Sequence, residues 1–267
     1  MNKLVLSEIY IYPIKSLSGI SLQSSIIEKR GLQYDRRWML VDDNNKFITQ
    51  RTNPQMSSLK VEITNEGLVI SHKIKSLKRL FVPFKNNNSK ILATVWNDEC
   101  IAKTSSIEIN EWFSEALELN CKLVYMPEST ERNVDPKYSK STDIVSFADG
   151  YPFLIIGQSS LDFLNSKLKT PVPMNRFRPN FVFTGGEPHE EDKWKQFEIG
   201  SAIFKVVKPC SRCVLTTVNQ DTGVKGKEPL ATLSKYRTVN NKVLFGQNLI
   251  CDKPSEIKIR DYINNLN

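Results

Sequence analysis

Turn-forming residues interrupt the first hundred residues at short intervals, and the segments between them are rich in β-branched and aromatic residues. The run "LKVEITNEGLVIS" turns around Asn65–Gly67, and "ILATVWNDECIAK" turns around Asn97–Glu99. Two apolar runs in "RRWMLVDDNNKFIT" flank Asp42–Lys46 in the same way. Short strands joined by such turns are typical of an antiparallel barrel or sandwich. The first part of the chain is therefore predicted to be β.

One helix and a long polar segment follow. The apolar residues of "SSIEINEWFSEALEL" recur at helical spacing, and Ser105 with Glu108 forms a capping box. The predicted apolar face consists of Ile109, Trp112, Phe113, Ala116 and Leu117. Residues 127–143 are polar and predict a long surface loop at a domain junction. We accordingly predict one domain in residues 1–125 and a second in residues 126–267.

The second half returns to strand-like segments. A short helix is predicted in "SSLDFLNSKLK". The strand candidates are "YPFLIIG", "NFVFTG", "FEIGSAIFKVVK", "CVLTTV", "KVLFGQNLI" and "EIKIR". The predicted fold class is mainly β with a few helices, in two domains.

The charge balance and the N-terminal segment exclude several classes of protein. The 267 residues contain 37 Lys and Arg against 29 Asp and Glu, which gives a net charge of +8. This balance suits an anionic ligand or an acidic partner, or is a solvated basic surface. The sequence has no tract of five or more basic residues, so a nucleic-acid-binding arm is not indicated. No secretion signal or membrane-spanning run is recognisable, so a cytoplasmic protein without nucleic-acid or membrane partners is expected.

The segment "VVKPCSRCVLTTVNQDTG" contains Cys210 and Cys213 and raises three interpretations. Half of a zinc site would need about four ligands, but there is no second CxxC, and His72 and His189 lie in polar stretches typical of exposed loops. A redox dithiol would sit at a helix N-terminus, whereas both flanks of this pair look β-like. A structural pair of thiols stays open. Three further cysteines, predicted to be small buried residues of strands, are Cys100, Cys121 and Cys251.

Several short motifs bring cations that would suit a phosphate. Arg212 adjoins Cys213, and three other motifs, "YPIKS", "YDRRW" and "NRFRPN", each contribute at least one Lys or Arg. Arginine forks match phosphate oxygens in pairs. Spacing alone does not establish that these residues converge, and each alone is typical of a solvated surface. Two histidines leave little scope for a Cys–His or Ser–His nucleophile, and neither GxGxxG nor a P-loop is present.

Four segments together resemble a known family. "KPCSRCVLTTVNQDTG", "NRFRPNFVFTGG", "YPIKS" and "LQYDRRWMLVD" are similar to motifs of the MOSC proteins. These are the molybdenum-cofactor-binding proteins that include the mitochondrial amidoxime-reducing component and bacterial YcbX. The resemblance covers nearly the whole chain. It implies an N-terminal MOSC β-barrel domain followed by a MOSC β-barrel domain.

The resemblance also implies a site. Cys213 would ligate molybdenum beside the pterin dithiolene, with Cys210 as a neighbour, and a soft thiolate suits that role. Asp149 of "FADGYPFLI" would lie near the metal as a catalytic residue, with a pKa raised toward neutrality by partial burial. Gly150 stands where relatives have Ser or Thr. The residues that match cofactor-binding positions are Lys15, Ser16, Arg36, Arg178, Ser211 and Arg212.

The implied activity is a molybdenum-dependent oxidoreductase that reduces N-hydroxylated or N-oxygenated substrates. The alternative is a carrier of the cofactor or a sulfur-transfer protein. The cysteine set of a ferredoxin domain is absent from the sequence, so an external electron-transfer protein, a reductase or a ferredoxin- or cytochrome-like carrier, is expected. Pyridoxal phosphate binding is a further term attached to the family as a whole, and the sequence assigns no residue to it.

Overall fold

The computed structural model of the chain describes residues 3–85, 88–139 and 142–266, and strands dominate it, as predicted. In the first half the strands are β1 (Val5–Ile11), β2 (Ile20–Leu22), β3 (Ser24–Glu28), β4 (Gly31–Leu32), β5 (Trp38–Val41), β6 (Leu59–Ile63), β7 (Gly67–His72), β8 (Leu80–Pro83), β9 (Lys90–Val95), β10 (Asp98–Thr104) and β11 (Lys122–Tyr125). In the second half they are β12 (Phe153–Gly157), β13 (Phe181–Thr184), β14 (Gln196–Ile199), β15 (Ala202–Ser211), β16 (Thr238–Val239), β17 (Lys242–Lys253), β18 (Glu256–Lys258) and β19 (Ile263–Asn265). The α-helices are α1 (Ile107–Leu117), α2 (Gln158–Asn165) and α3 (Leu230–Ser234).

The largest sheet joins strands from both ends of the chain. Its order is β19-β14-β15-β17-β12-β13-β1-β2, with β16 beside β17, and the β12–β13 pair is parallel while the others are antiparallel. Strand β1 therefore lies between β13 of the second half and β2 of the first. Strand β3 likewise pairs with β18 near the C-terminus. The predicted division between residues 125 and 126 stays a prediction.

Two of the three predicted hairpins in the first half form as expected. Strands β6 and β7 pair from Leu59 to His72, and β9 and β10 pair around a turn at Trp96. In the third, β5 is joined to the segment after its turn only by the single bridge between Val41 and Phe47. Strand β5 instead pairs with β11, in a sheet of order β5-β11-β10-β9. A third small sheet has the order β6-β7-β8. None of the described helices is both long and apolar enough to cross a membrane.

Helix α1 uses the predicted apolar face but a different cap. Its first turn is capped by Ser106, one residue after the predicted Ser105, and the Ser106 hydroxyl accepts a hydrogen bond from the Ile109 amide. Phe113 and Leu117 are buried in the core beside β11. The second predicted helix is confirmed as α2.

Two of the predictions for individual segments are wrong, and the predicted loop at residues 127–143 forms. The segment "CVLTTV" is not a strand but the 3-10 helix Val214–Thr217, because the Thr216 and Thr217 hydroxyls donate to carbonyls three residues earlier. The segment 127–143, of which residues 140 and 141 lie outside the described part, is irregular but anchored by the buried Arg132. His189 is half-buried with both ring nitrogens enclosed, not exposed.

Candidate functional site

All eight residues predicted for the site line one pocket. They are Lys15, Ser16, Arg36, Asp149, Arg178, Ser211, Arg212 and Cys213. The pocket is open to solvent and is lined by residues from both halves of the chain. The lining of the pocket contains four cationic side chains and one carboxylate, that of Asp149, and this balance favours an anionic ligand. The convergence that spacing alone left open is thus a property of the fold.

Three of these residues have backbones in the left-handed region. The φ angles of Ser16, Arg36 and Arg178 are 68°, 50° and 55°. Such conformations cost of order 1–3 kcal/mol each for residues other than glycine and persist where the surroundings hold them. The Arg36 amide donates to the Tyr12 carbonyl at 2.9 Å, and the Gln50 side chain donates to the Ser16 carbonyl at 2.6 Å. Buried contacts therefore fix these turns at the pocket.

Arg36 and Arg178, which we call the inner-wall arginines of the pocket, differ in their hydrogen-bond partners. Arg36 Nη1 donates to the buried Asp35 carboxylate at 2.6 Å, and its Nη2 donates to the Arg178 carbonyl at 3.2 Å. Arg178 is only 8% exposed, and its Nη1 donates to the Leu17 carbonyl at 2.7 Å. Its Nη2 is buried without a protein partner. Burial lowers the pKa of Arg178 to about 10, so the side chain stays cationic at neutral pH.

Asp149 forms an ion pair with Lys15, and both residues line the pocket. The Lys15 ammonium lies 2.5 Å from Asp149 Oδ1 and 2.7 Å from the Phe147 carbonyl. The Lys15 side chain is buried, whereas that of Asp149 is 64% exposed. The Trp96 indole donates to the same carboxylate oxygen at 3.2 Å.

This ion pair corrects the expected titration of Asp149. Desolvation by the surrounding pocket would by itself raise the pKa of Asp149, but the Lys15 ammonium, with Arg51 and the Trp96 hydrogen bond, holds that pKa well below its usual range. The expectation of a pKa raised toward neutrality is therefore wrong. Burial lowers the pKa of Lys15 to about 8, and the Asp149 carboxylate limits that fall. Of the two groups, Lys15 is the one that titrates near neutral pH.

Arg132 holds the segment before β12 in place. The buried Arg132 guanidinium donates to the carbonyls of Ser146, Ala148 and Asp149 at 2.9, 2.6 and 3.2 Å. These bonds orient the turn that presents Asp149. Gly150 also lines the pocket, and a Cβ at this position would meet nothing within 4 Å. A residue with a hydroxyl side chain would therefore fit there.

The two cysteines of CSRC have different surroundings. Cys213 is exposed and stands just before the 3-10 helix Val214–Thr217. Cys210 is half-buried and accepts a hydrogen bond from Arg212 Nη1 at 3.0 Å. Arg212 Nη2 donates to the Phe177 carbonyl at 2.6 Å, while its Nε is buried without a protein partner. Both cysteines line the pocket, and Cys213 is the more exposed of the two.

The donor set describes the ligand that the pocket suits. Within residues 3–85, 88–139 and 142–266, no group of three or more His, Cys, Asp and Glu side chains is arranged to hold a metal ion. A metal bound at Cys213 would therefore take its other ligands from the bound molecule. Two buried donors without partners, on Arg178 and Arg212, are ready for acceptor oxygens, since such groups are normally paired. The pocket suits an anionic ligand with acceptor oxygens.

Sequence reasoning missed several supporting residues. The buried Asp35, Asn180 and Tyr12 join the motifs to one another, and Trp96 and Arg132 hold Asp149. The first three lie inside the quoted motifs, each within three residues of a Lys or Arg, and this proximity was the available signal. Trp96 and Arg132 carry no such signal, because their contact with Asp149 is purely tertiary.

Two family descriptions match the chain, and named relatives cover most of it. "MOSC N-terminal beta barrel domain" matches residues 3–120, and "MOSC domain" matches residues 142–264. Mitochondrial amidoxime-reducing component 1 of Mus musculus is 30% identical over 96% of this chain and 80% of its own length, and the Homo sapiens protein is 30% identical over 96% and 81%. Molybdenum cofactor sulfurase of Oryza sativa subsp. japonica is 32% identical over 90% of this chain.

The chain spans only 32% of the length of that sulfurase. Among solved structures, the YUAD protein from Bacillus subtilis aligns over 98% of this chain and 97% of its own, with 11% identity and a TM-score of 0.43.

Proposed function

Because the chain belongs to the MOSC-domain family, we propose that it is a molybdenum-cofactor oxidoreductase that reduces N-hydroxylated or N-oxygenated small molecules. The cofactor is molybdenum held by molybdopterin. The observation that carries the proposal is the exposed thiol of Cys213 in one pocket with four cations, two of which keep a buried donor free.

The residues of the pocket fit this cofactor by type. Arg36, Arg178 and Arg212 would bind its phosphate through charge-assisted hydrogen bonds, together with Lys15 and the Ser16 and Ser211 hydroxyls. Cys213 would supply the thiolate ligand to molybdenum, since a soft thiolate is a better ligand for it than a serine oxygen. When bound, the cofactor supplies a two-electron redox centre.

The reaction is balanced as a two-electron, two-proton reduction. A hydroxylamine R–NH–OH takes up two electrons and two protons, its N–O bond breaks, and the amine R–NH₂ and water are released. The electrons come from an external electron-transfer protein. Asp149, ionised and lining the pocket, would accept a hydrogen bond from the substrate, and the Lys15 ammonium paired with it would supply a proton.

The second candidate function is cofactor carriage or sulfur transfer through Cys213. It is favoured by the 32% identity to a protein named molybdenum cofactor sulfurase, although the chain spans only a third of that protein. Turnover separates the two functions. With a chemical reductant and a hydroxylamine substrate, a reductase releases amine repeatedly, whereas a carrier releases none.

Substitution of the two cysteines tests the proposed ligand. We expect protein from a host that makes molybdopterin to carry close to one molybdenum per chain. Cys213→Ser should lose the metal–thiolate bond and the activity, because serine oxygen is a harder donor. Cys210→Ser is the matched control and should keep most of both. Stoichiometric zinc in elemental analysis, or an essential Cys210, would contradict the proposal.

The partners follow from the same reading. No dinucleotide fingerprint occurs in the sequence, so electrons are expected from a reductase or a ferredoxin- or cytochrome-like carrier rather than from NADH directly. The proposal includes a cytoplasmic location and no nucleic-acid or membrane partner.

A further inference from the structure

We propose that Tyr12 is a positioning residue whose ring holds Arg36 and Arg178 in place to bind a phosphate group. The proposal deepens the function above and rests on it for the identity of the ligand, the cofactor's phosphate. Tyr12 is the first residue of "YPIKS" and is only 2% exposed.

The ring lies against both guanidinium groups. The Cζ atom of Arg36 is 4.3 Å from the centre of the Tyr12 ring, and that of Arg178 is 4.1 Å from it. A guanidinium within about 6 Å of an aromatic centre is attracted by the ring's quadrupole, and the attraction is larger where water is excluded. A single buried side chain thus contacts both cations of the inner wall.

Tyr12 is itself fixed at both ends. Its amide donates to Asp35 Oδ1 at 2.7 Å, and its hydroxyl donates to the Pro179 carbonyl at 3.1 Å. Asp35 immediately precedes Arg36, and Pro179 immediately follows Arg178. Tyr12 is therefore joined to the Asp35 side chain of one motif and to the Pro179 backbone of the other.

The choice of a ring instead of a carboxylate has a consequence for ligand binding. Arg36 has a carboxylate partner in Asp35, whereas Arg178 donates a hydrogen bond to the Leu17 carbonyl and stacks on the Tyr12 ring. A carboxylate on Arg178 would compete with a phosphate for the same N–H groups. The ring face stabilises the charge without occupying them, and Arg178 Nη2 remains free.

Gly19 provides the space that the ring occupies. A Cβ at Gly19 would lie 2.6 Å from Tyr12 Cε1, closer than real contacts allow. Gly19 itself is exposed, and its backbone is outside the left-handed region, so alanine fits its conformation. Gly19→Ala would therefore displace the ring without removing it.

The test measures binding of inorganic phosphate to protein made without the cofactor, by calorimetric titration at constant pH. The variants are Tyr12→Phe, which keeps the ring and loses the hydroxyl, Tyr12→Leu, which removes the ring, and Gly19→Ala. Tyr125→Leu is the matched control, because Tyr125 stacks on Arg37 at 5.2 Å, which does not line the pocket. Molybdopterin retained per chain is measured in parallel on protein from a competent host.

We expect Tyr12→Phe to bind phosphate within about twofold of the unsubstituted protein. Tyr12→Leu and Gly19→Ala should bind about tenfold more weakly, equivalent to about 1.4 kcal/mol, and Tyr125→Leu should be unchanged. A folded Tyr12→Leu with normal affinity, or a Tyr12→Phe as weak as Tyr12→Leu, would overturn the proposal. If Tyr12→Leu does not fold, Gly19→Ala decides in the same way.

The two proposals fail separately. If the unsubstituted protein binds phosphate but retains no molybdopterin from a competent host, the proposed function is wrong while the role of Tyr12 can still be read from phosphate binding. If it retains molybdopterin and the Tyr12 variants retain as much, the positioning role is wrong and the function stands.

Discussion

Lys15 and Asp149 come from opposite halves of the chain and meet as an ion pair at 2.5 Å. The pair reverses the roles expected from the sequence: Asp149 stays ionised, and Lys15 is the group whose charge changes near neutral pH. The reason is that the Lys15 ammonium holds the pKa of Asp149 below its usual range, while burial lowers the pKa of Lys15. A catalytic role for Asp149 stays a prediction, without the raised pKa.

Anion binding should therefore depend on pH through Lys15. Because the pKa of Lys15 is about 8, its positive charge is lost as the pH rises through that value, and binding of sulfate to cofactor-free protein should weaken between about pH 7 and 9. Sulfate is a suitable probe because its own charge is constant in this range. In Asp149→Asn, the Lys15 pKa loses its main support, so the weakening should begin at lower pH. Identical pH midpoints in the two proteins would show that Lys15 is not the titrating group.

Removal of Arg178, one of the two inner-wall arginines, should weaken cofactor retention without unfolding the protein. Arg178→Ala deletes a buried charge-assisted contact, and we expect about tenfold or more loss of affinity for molybdopterin. Arg79→Ala is the control, because Arg79 does not line the pocket and is 72% exposed. Its surface ion pair with Glu62, at 3.8 Å, contributes little to stability. Pterin content per folded chain is the measurement, and equal content in both variants would count against the phosphate-binding pocket.

At the scale of single elements, helix α2 begins over a buried carboxyl group. Glu191, on the 3-10 segment Glu190–Lys193, is 0% exposed. The Ser160 hydroxyl lies 3.0 Å from both of its oxygens, and the Gly157 amide donates to it at 3.2 Å. These donors are neutral, so they only partly offset burial, which raises the pKa of Glu191 to about 7.

The free energy of unfolding should depend on pH through Glu191. The folded pKa of about 7 lies above the ordinary value of 4.5, so the folded state keeps a proton that the unfolded chain loses. The contribution is fully present below pH 4.5 and is lost as the pH rises through 7, by about 3 kcal/mol in all. Glu191→Gln cannot ionise and keeps the shape. Relative to the unsubstituted protein, its free energy of unfolding should therefore rise from pH 5 to pH 8. Denaturation curves whose difference is constant with pH would refute this.

At the scale of the whole molecule, the nine-stranded sheet depends on the N-terminal segment. Strand β1 covers β13, and β3 pairs with β18, so residues 126–267 alone would expose strand edges and apolar surface. They would also lack Lys15 and Arg36. We expect this fragment to show no cooperative thermal unfolding and no phosphate binding. Co-expression with residues 1–125 should restore both. A fragment that folds and binds phosphate alone would establish an independent second domain.

The net charge of +8 bears on electron delivery. We expect NADH with the purified protein alone to give no turnover, and a reductase–carrier pair or a chemical reductant to support it. With an acidic carrier, the rate should fall as salt rises, because screening weakens attraction between oppositely charged surfaces. The chemical reductant is the control and should be far less sensitive to salt. NADH turnover in a flavin-free preparation would exclude the need for a carrier.

Local patterns were enough to predict the elements and the kinds of residue in the site. The β6–β7 and β9–β10 hairpins, helix α1 and the buried Cys100 follow from turn residues and periodicity, which depend on neighbours in the chain. The cation-bearing motifs and the CSRC cysteines were also recognisable, because they are contiguous. Where local bonds competed with the strand pattern, as at Thr216 and Thr217, the prediction failed.

Only the tertiary structure decided that these motifs share one pocket, and what each charge there does. Tyr12 meets Arg36 and Arg178 across 24 and 166 positions of sequence, distances over which no periodicity acts. The sequence by itself determined which ionisable groups are present. The fold determined that Asp149 is ionised, that Lys15 titrates near neutrality and that Glu191 holds its proton, because a pKa depends on burial and on the charges brought near by folding.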